Sequence, residues 1–297
     1  MSLFVHSKSS SAVLLADSGS TKTDWCIVVD GKPVFQCQTS GLNPALQPIE
    51  IIKEVLTNGL LGEFRKQSCC HSFPENLVVR FYGAGCRGVS TVVMREALAE
   101  SLSLSVDNIN VETDLMAAAH ALCCNSEGIA CILGTGSNSC LYDGESIIAN
   151  VPALGYILGD EGSGAVLGKR FVNSLFKGSL PDSIKREFVD STGMDLDAVI
   201  RRVYKEPMAN RFLASISLFI YSHIECPQVE SIVIKNFVDF FDKNISHYQR
   251  PDLSVNAVGS VASYYLPQLR QAASECGYRL GEVLRSPMQG LIASCGE

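Results

Sequence analysis

The chain has 297 residues, 46% hydrophobic and 19% charged, with a formal net charge of −7. That is roughly two domains of chain with ample apolar material for cores, which excludes intrinsic disorder. Only 24 glycines and 11 prolines are present, which excludes collagen-like and low-complexity structure.

The longest uncharged runs, 33–49 and 253–269, contain Pro, Asn and Gln. They fall short of the roughly 20 apolar residues a membrane helix needs, so none is expected. The first eight residues lack a long apolar segment, so no secretory signal is expected and the protein reads as cytoplasmic. Acidic balance with scattered Lys and Arg argues against nucleic acid or an anionic membrane as partner. Twelve cysteines contain no C-x-x-C pair, and the doublets Cys69-Cys70 and Cys123-Cys124 do not suggest a disulfide framework. They read as reduced, mostly buried thiols. Five histidines without H-x-x-x-H spacing make a structural zinc site unexpected.

In chain order, 12–16 is a short apolar run suited to a buried strand, and 25–29 and 33–38 follow as strands around the Asp30-Gly31 turn. A loop at 39–44 leads into a helix with Ile49, Ile52, Val55, Leu56 and Leu60 on one face. Strands are predicted at 77–82 and 109–111, and helices at 89–102 and 115–123. The order then repeats: a meander at 128–133, 139–142 and 146–150, and a largely helical stretch over 164–249 broken at Pro181, Gly193, Pro207 and Pro227. Strands at 255–258 and 278–284 follow, with a helix after each. The final helix starts with Pro287 at its N1 position. Repeated mixed sheets flanked by helices give an α/β class with an internal duplication of topology.

Between the first two strands lies Asp-Ser-Gly-Ser-Thr-Lys-Thr, 17–23. Small residues around Gly19, Ser20, Thr21 and Lys22 let a tight hairpin present N–H groups and hydroxyls to an anion. Asp17 at the end of a buried strand needs compensation, which Mg2+ acting through its waters would supply. An ordinary polar hairpin is the alternative for this loop alone. Gly134, Thr135 and Gly136, followed by Ser137 and Asn138, form a second loop of the same chemistry at the same place in the second meander. Two such loops suit a triphosphate held between two domains. A Walker A loop is excluded, because 162–170 has the wrong spacing and ends in Lys-Arg. Residues 83–88 match G-x-G-x-x-G, but they follow an antiparallel meander that a dinucleotide-binding half does not contain.

These loops, with Gly159-Asp160-Glu161-Gly162-Ser163 and Gly259-Ser260-Val261-Ala262, make the chain resemble the sugar kinase/Hsp70/actin superfamily. The nearest branch is the N-acetylglucosamine kinase group, which shares its domain family with the BadF/BadG/BcrA/BcrD ATPases. The resemblance spans residues 12–293 and implies two ribonuclease H-like α/β lobes with a nucleotide cleft between them. The lobes would be 1–115, with a returning helix at 285–297, and 116–284, with a helical insertion. It implies an ATP- and Mg2+-dependent kinase acting on a hydroxyl of an amino sugar, N-acetylglucosamine or glucosamine.

By resemblance, Thr21, Thr135, Gly259, Ser260 and Ser263 contact ATP, and Asp114 is the general base. Asn43, Ser137, Asn138 and Asp160 align with the sugar contacts. Three of these have plainer readings: Asp114 or Thr113 as helix cap, Asn43 as turn former before Pro44, and Asp160-Glu161 as helix N-terminal charge. Lys22 either assists the phosphates or lies on a solvated face. Glu112 competes with Asp114, and strand alternation is expected to separate them. The chain departs from the family at Ser18 and Ser20, where glycines are usual, and its one Trp, Trp25, is not beside Asn43. A BadF-type activator of a partner enzyme and a non-catalytic sugar or nucleotide sensor are the alternatives, and a homodimer stays open.

Overall fold

The computed structural model describes residues 12–19, 21–68, 72–74 and 76–295. Ser20, the Cys69-Cys70 doublet and the N-terminal residues on which the signal expectation rests lie outside them. The early apolar runs pair into an antiparallel meander of β1 (Ala12–Ser18), β2 (Lys22–Val29) and β3 (Lys32–Ser40). β2 starts three residues before its apolar run, because Thr23 and Asp24 pair with Ser18 and Asp17 across the hairpin. The next helical stretch has three parts, α1 (Ile49–Glu54), a π-helical turn (Val55–Leu60) and α2 (Leu61–Gln67). It buries Ile52, Leu56, Leu60 and Phe64. β4 (Val78–Gly83), α3 (Val89–Leu102), β5 (Ile109–Thr113) and α4 (Asp114–Cys123) complete the pattern. β4 runs parallel to β1 and β5 parallel to β4, so the sheet order is β3-β2-β1-β4-β5.

The second sheet repeats that plan. β6 (Gly128–Leu133), β7 (Ser137–Tyr142) and β8 (Ile147–Ala149) form the meander. After it come α5 (Gly155–Leu158), α6 (Gly164–Phe176), α7 (Asp182–Thr192) and α8 (Leu196–Tyr204). They are followed by α9 (Ala209–Ser215), α10 (Ser217–Ser222) and α11 (Pro227–Lys243). Gly193 in the left-handed region ends α7, and Pro227 opens α11 where its missing N–H costs nothing. β9 (Ser254–Val258), α12 (Ser260–Tyr264), α13 (Leu266–Glu275) and β10 (Arg279–Leu284) close the order β10-β9-β6-β7-β8. Listed from the meander edge, β8-β7-β6-β9-β10 matches the first sheet strand for strand, with the same parallel and antiparallel pairs.

The chain divides into unit 1, residues 1–124 and 287–297, and unit 2, residues 125–286. The division falls after Cys124 rather than after 115, because α4 packs on β4, β5 and the last helix, α14 (Pro287–Ser294). Leu14, Trp25, Phe64 and Phe81 sit in the core of unit 1, and Phe171, Phe237, Phe241 and Leu269 in that of unit 2. Cys26 and Cys86 in unit 1, and Cys131 and Cys140 in unit 2, are buried small apolar groups. Cys37 and Cys226 are half-buried. Among the described residues, no helix is long and apolar enough to cross a membrane.

Candidate active site

In unit 1 the hairpin between β1 and β2 closes through Gly19 N–H donating to the Lys22 carbonyl at 3.0 Å. Asp17 and Asp24 stand opposite each other in the register, and Asp114 is close enough to raise the Asp17 pKa. Burial first, then Asp24 and Asp114, pushes the Asp17 carboxyl up to about 7, with Lys22 opposing. Lys22 Nζ pairs with Asp24 at 2.8 Å, so its ammonium folds back along the hairpin. Thr21 is exposed, and its carbonyl accepts from Gly41 N–H at 3.1 Å.

Ser18, expected only as a tolerated replacement for glycine, is fully buried with its hydroxyl in use. Its Oγ donates to the Leu42 carbonyl at 3.0 Å, accepts from Leu42 N–H at 2.9 Å and meets Thr23 Oγ1 at 2.7 Å. These bonds fasten the 41–43 loop to the hairpin and fix where Asn43 stands. Asn43 Oδ1 accepts from Ala45 N–H at 3.0 Å, an Asx turn that leaves its Nδ2 amide as a donor. The turn-forming reading of Asn43 therefore holds for half of the side chain. Gly85, at φ +81°, lies so close that a Cβ would stand 2.2 Å from Asn43 Oδ1. The G-x-G-x-x-G run thus serves close packing against the Asn43 loop, and β1 in this sheet is antiparallel to β2, which a dinucleotide half does not allow.

Thr113 and Asp114 divide two tasks. Thr113 is the N-cap of α4, its Oγ1 accepting from Met116 N–H at 3.2 Å. Asp114, half-buried in the first turn, accepts from Leu115 N–H at 3.0 Å. Burial raises its pKa, against lowering by the Leu115 N–H and by Arg87. Residues two apart in a strand share a face, so alternation cannot separate Glu112 from Asp114. β5 ends at Thr113, and Asp114 follows the helical path of α4 rather than the strand. One signal escapes a sequence reading: His120 Nδ1 lies 2.9 Å from Tyr82 Oη and ties α4 to β4. Burial, then Arg80, lowers the His120 pKa.

In unit 2 the Gly134-Thr135-Gly136 loop, Asp160 and the Gly259 turn converge. The carbonyls of Gly134 and Thr135 accept from Gly164 and Ala165 N–H at 2.8 and 3.1 Å. They thereby satisfy the otherwise unpaired first donors of α6. A Cβ on Gly136 would stand 3.1 Å from Asp160 Oδ2. Gly259 has φ +131°, and a Cβ there would lie 2.2 Å from the Leu133 carbonyl, so only glycine permits this approach. Ser260 is exposed and Ser263 half-buried at i and i+3 of α12, on one helix face.

Asp160 does not cap α6. Ser163 does, with Oγ accepting from Val166 N–H at 3.1 Å. Burial pushes the Asp160 carboxyl up to about 6, against a hydrogen bond from Gly155 N–H. Ser137 and Asn138, expected together at the sugar, are adjacent in β7 and therefore point to opposite faces. Ser137 is buried on the side of Ser139, whose Oγ meets Tyr248 Oη at 2.8 Å. Asn138 Oδ1 accepts from Asn150 Nδ2 at 2.9 Å. Among the described residues, no group of three or more His, Cys, Asp and Glu is arranged to hold a metal by itself.

No protein-family model and no curated protein matches the chain. Solved structures do. A proposed N-acetylglucosamine kinase from Chromobacterium violaceum is 20% identical, with 96% of this chain and 98% of that chain covered and a TM-score of 0.73. A ROK family glucokinase from Streptomyces griseus, solved with glucose and AMPPNP, is 14% identical, with 95% and 97% covered and a TM-score of 0.56. At these identities they speak for the fold alone. A proposed N-acetylglucosamine kinase from Porphyromonas gingivalis is 46% identical, with 96% of this chain and 98% of that chain covered and a TM-score of 0.89. On that identity, coverage and shared architecture, the chain belongs to the N-acetylglucosamine kinase-like family.

Proposed function

We propose that the protein transfers the γ-phosphoryl group of ATP to a hydroxyl of an amino sugar, N-acetylglucosamine or glucosamine. The observation that carries the reading is Asp114, a half-buried carboxylate at the start of α4 that its neighbour Thr113 relieves of capping. In this reading Asp114 accepts the sugar hydroxyl proton as the oxygen bonds to the γ-phosphorus and the bond to ADP breaks. Burial makes the carboxylate more basic, which suits a proton acceptor. Asn43 supplies its amide and Asp160 its carboxylate to sugar hydroxyls or the acetamido group. Ser20, Thr21 and Thr135 offer hydroxyls and Gly136 its N–H to the phosphates, while Gly19 and Gly134, whose N–H groups donate to the Lys22 and Gly136 carbonyls, shape the two loops. Gly259, Ser260 and Ser263 face the nucleoside.

The donor set fits Mg2+. Asp17 is a carboxylate raised to about 7 by burial and by two neighbouring carboxylates, and a nearby dication would reverse that shift. Mg2+ keeps several waters and takes one or two carboxylates plus substrate phosphates, so a full protein cage is not required. Asp17 would hold the ion through water, and the ion would neutralise charge on the transferring phosphoryl group.

A coupled ADP assay over a panel of amino sugars, with Mg2+ or with EDTA, tests the reading. Sugar-dependent, Mg2+-dependent ADP release supports it. ADP release indifferent to every sugar would favour a partner-activating ATPase, and sugar or nucleotide binding without turnover would favour a sensor.

A further inference from the structure

Between α6 and α11 of unit 2 lies an open cavity of about 550 Å3, lined by Lys169, Arg170, Asn173, Ser174, Ser231 and Lys235. It continues into a second cavity of about 400 Å3 that shares Ser174 and Ser231 and reaches Pro227 and Gln228 at the start of α11. Both volumes fall within the roughly 300–1,000 Å3 typical of small-molecule sites. None of the residues assigned above to ATP or the sugar lines either cavity.

Three cations and no carboxylate line the first cavity. Asp239 joins two of them, accepting from Lys235 Nζ at 2.7 Å and pairing with Arg170. Asp239 offsets one of the three charges, while Glu161 and Asp160 act on Lys169 from outside the lining. Arg170 Nε is buried and has no hydrogen-bond partner among the described residues. A buried guanidinium donor without an acceptor is costly, and an anion oxygen would satisfy it. The positive end of the α11 dipole lies at the far end of the same groove. Asn173, Ser174 and Ser231 add hydroxyl and amide groups that both donate and accept, and Ile232 adds an apolar surface.

We propose that this groove is a second ligand site that binds a phosphorylated sugar, with the phosphate on Lys169, Arg170 and Lys235 and the sugar hydroxyls on Asn173, Ser174 and Ser231. The anion site stands on the groove itself. Choosing a sugar phosphate rests on the kinase reading, whose product belongs to that class. Lys169 connects the groove to the segment that leads to Asp160: its Nζ donates to the Tyr156 carbonyl of α5 at 2.7 Å. The same segment holds Asp160, whose N–H donates to the Ala153 carbonyl at 2.9 Å. An anion that draws Lys169 away from Tyr156 loosens the support of Asp160, so occupancy lowers turnover.

Calorimetry on protein saturated with N-acetylglucosamine and AMPPNP, which occupy the catalytic site, tests the proposal. N-acetylglucosamine 6-phosphate should still bind at one site, at least tenfold tighter than inorganic phosphate. Lys235→Glu should weaken that binding at least tenfold, and Ser231→Trp, which fills the groove without changing charge, should remove it. Melting curves establish that each variant is folded. Absence of residual binding, equal affinity for inorganic phosphate, or binding unchanged in both variants would overturn the proposal. Failure of the kinase reading shows separately, as absent turnover or absent sugar and AMPPNP binding. In that event the same titration of the unliganded protein still tests the groove.

Discussion

Asp114 and Asp160 follow one local rule. In each case a nearby hydroxyl, Thr113 Oγ1 or Ser163 Oγ, caps the helix that follows and leaves the carboxylate to other work. Asp114→Asn keeps the side chain's size and its bond from Leu115 N–H but removes the base. Phosphoryl transfer should fall by about 10²–10⁴, with sugar affinity much less changed, as steady-state kinetics beside calorimetry would show. A variant retaining more than about a tenth of wild-type rate would remove Asp114 from the chemistry. Asp17 makes a pH prediction. Its folded pKa of about 7 lies above the roughly 4 of an unfolded aspartate, so the folded, ligand-free state binds more protons between those values. Stability therefore falls as pH rises from about 4 to about 7. Asp17→Asn should melt higher than wild type above pH 7 without ligands, while losing Mg2+-ATP turnover. Equal melting temperatures at pH 8 would contradict the buried, ionised carboxylate.

At the scale of elements, the hairpin and the 41–43 loop act as one piece through Ser18. Ser18→Ala leaves Leu42 N–H and C=O without their partner, and an unsatisfied buried group costs about 1–3 kcal/mol. The variant should unfold at lower urea and show a raised sugar KM with kcat less affected. Gly85→Ala should act on the same loop, because both its φ and the 2.2 Å approach to Asn43 exclude a Cβ. The strands, the two glycine-containing loops and the Asp114 helix were legible in the sequence, because apolar periodicity and turn residues are local signals. The Ser18 clasp, the Lys22–Asp24 pair and the Asn138–Asn150 bond were not, since each is decided by a partner brought up by the fold. Local texture leaves the cap of α4 open between Thr113 and Asp114 and offers Asp160-Glu161 at α6, where geometry chooses Thr113 and Ser163.

At the scale of the whole molecule, the strand order of the first sheet recurs in the second although the residues scarcely repeat. Topology was readable from the order of elements, but the point of division was not, because α4 belongs to unit 1 through packing rather than pattern. The last helix matters for the same reason. Leu291 is 1% exposed where α14 packs on α4 and β1. Leu291→Ala should cost about 2–5 kcal/mol in urea unfolding, a large share of a domain's stability. A loss below about 0.5 kcal/mol would mean that α14 contributes little to unit 1.

The proposed reaction moves the γ-phosphoryl group of ATP to an amino sugar. Phosphorus NMR of the purified protein with ATP, Mg2+ and N-acetylglucosamine or glucosamine follows the transferred group directly. A phosphomonoester resonance should grow in equal proportion to ADP and be absent without sugar. Inorganic phosphate as the sole new product with either sugar, or an unchanged ATP spectrum, would contradict that reaction.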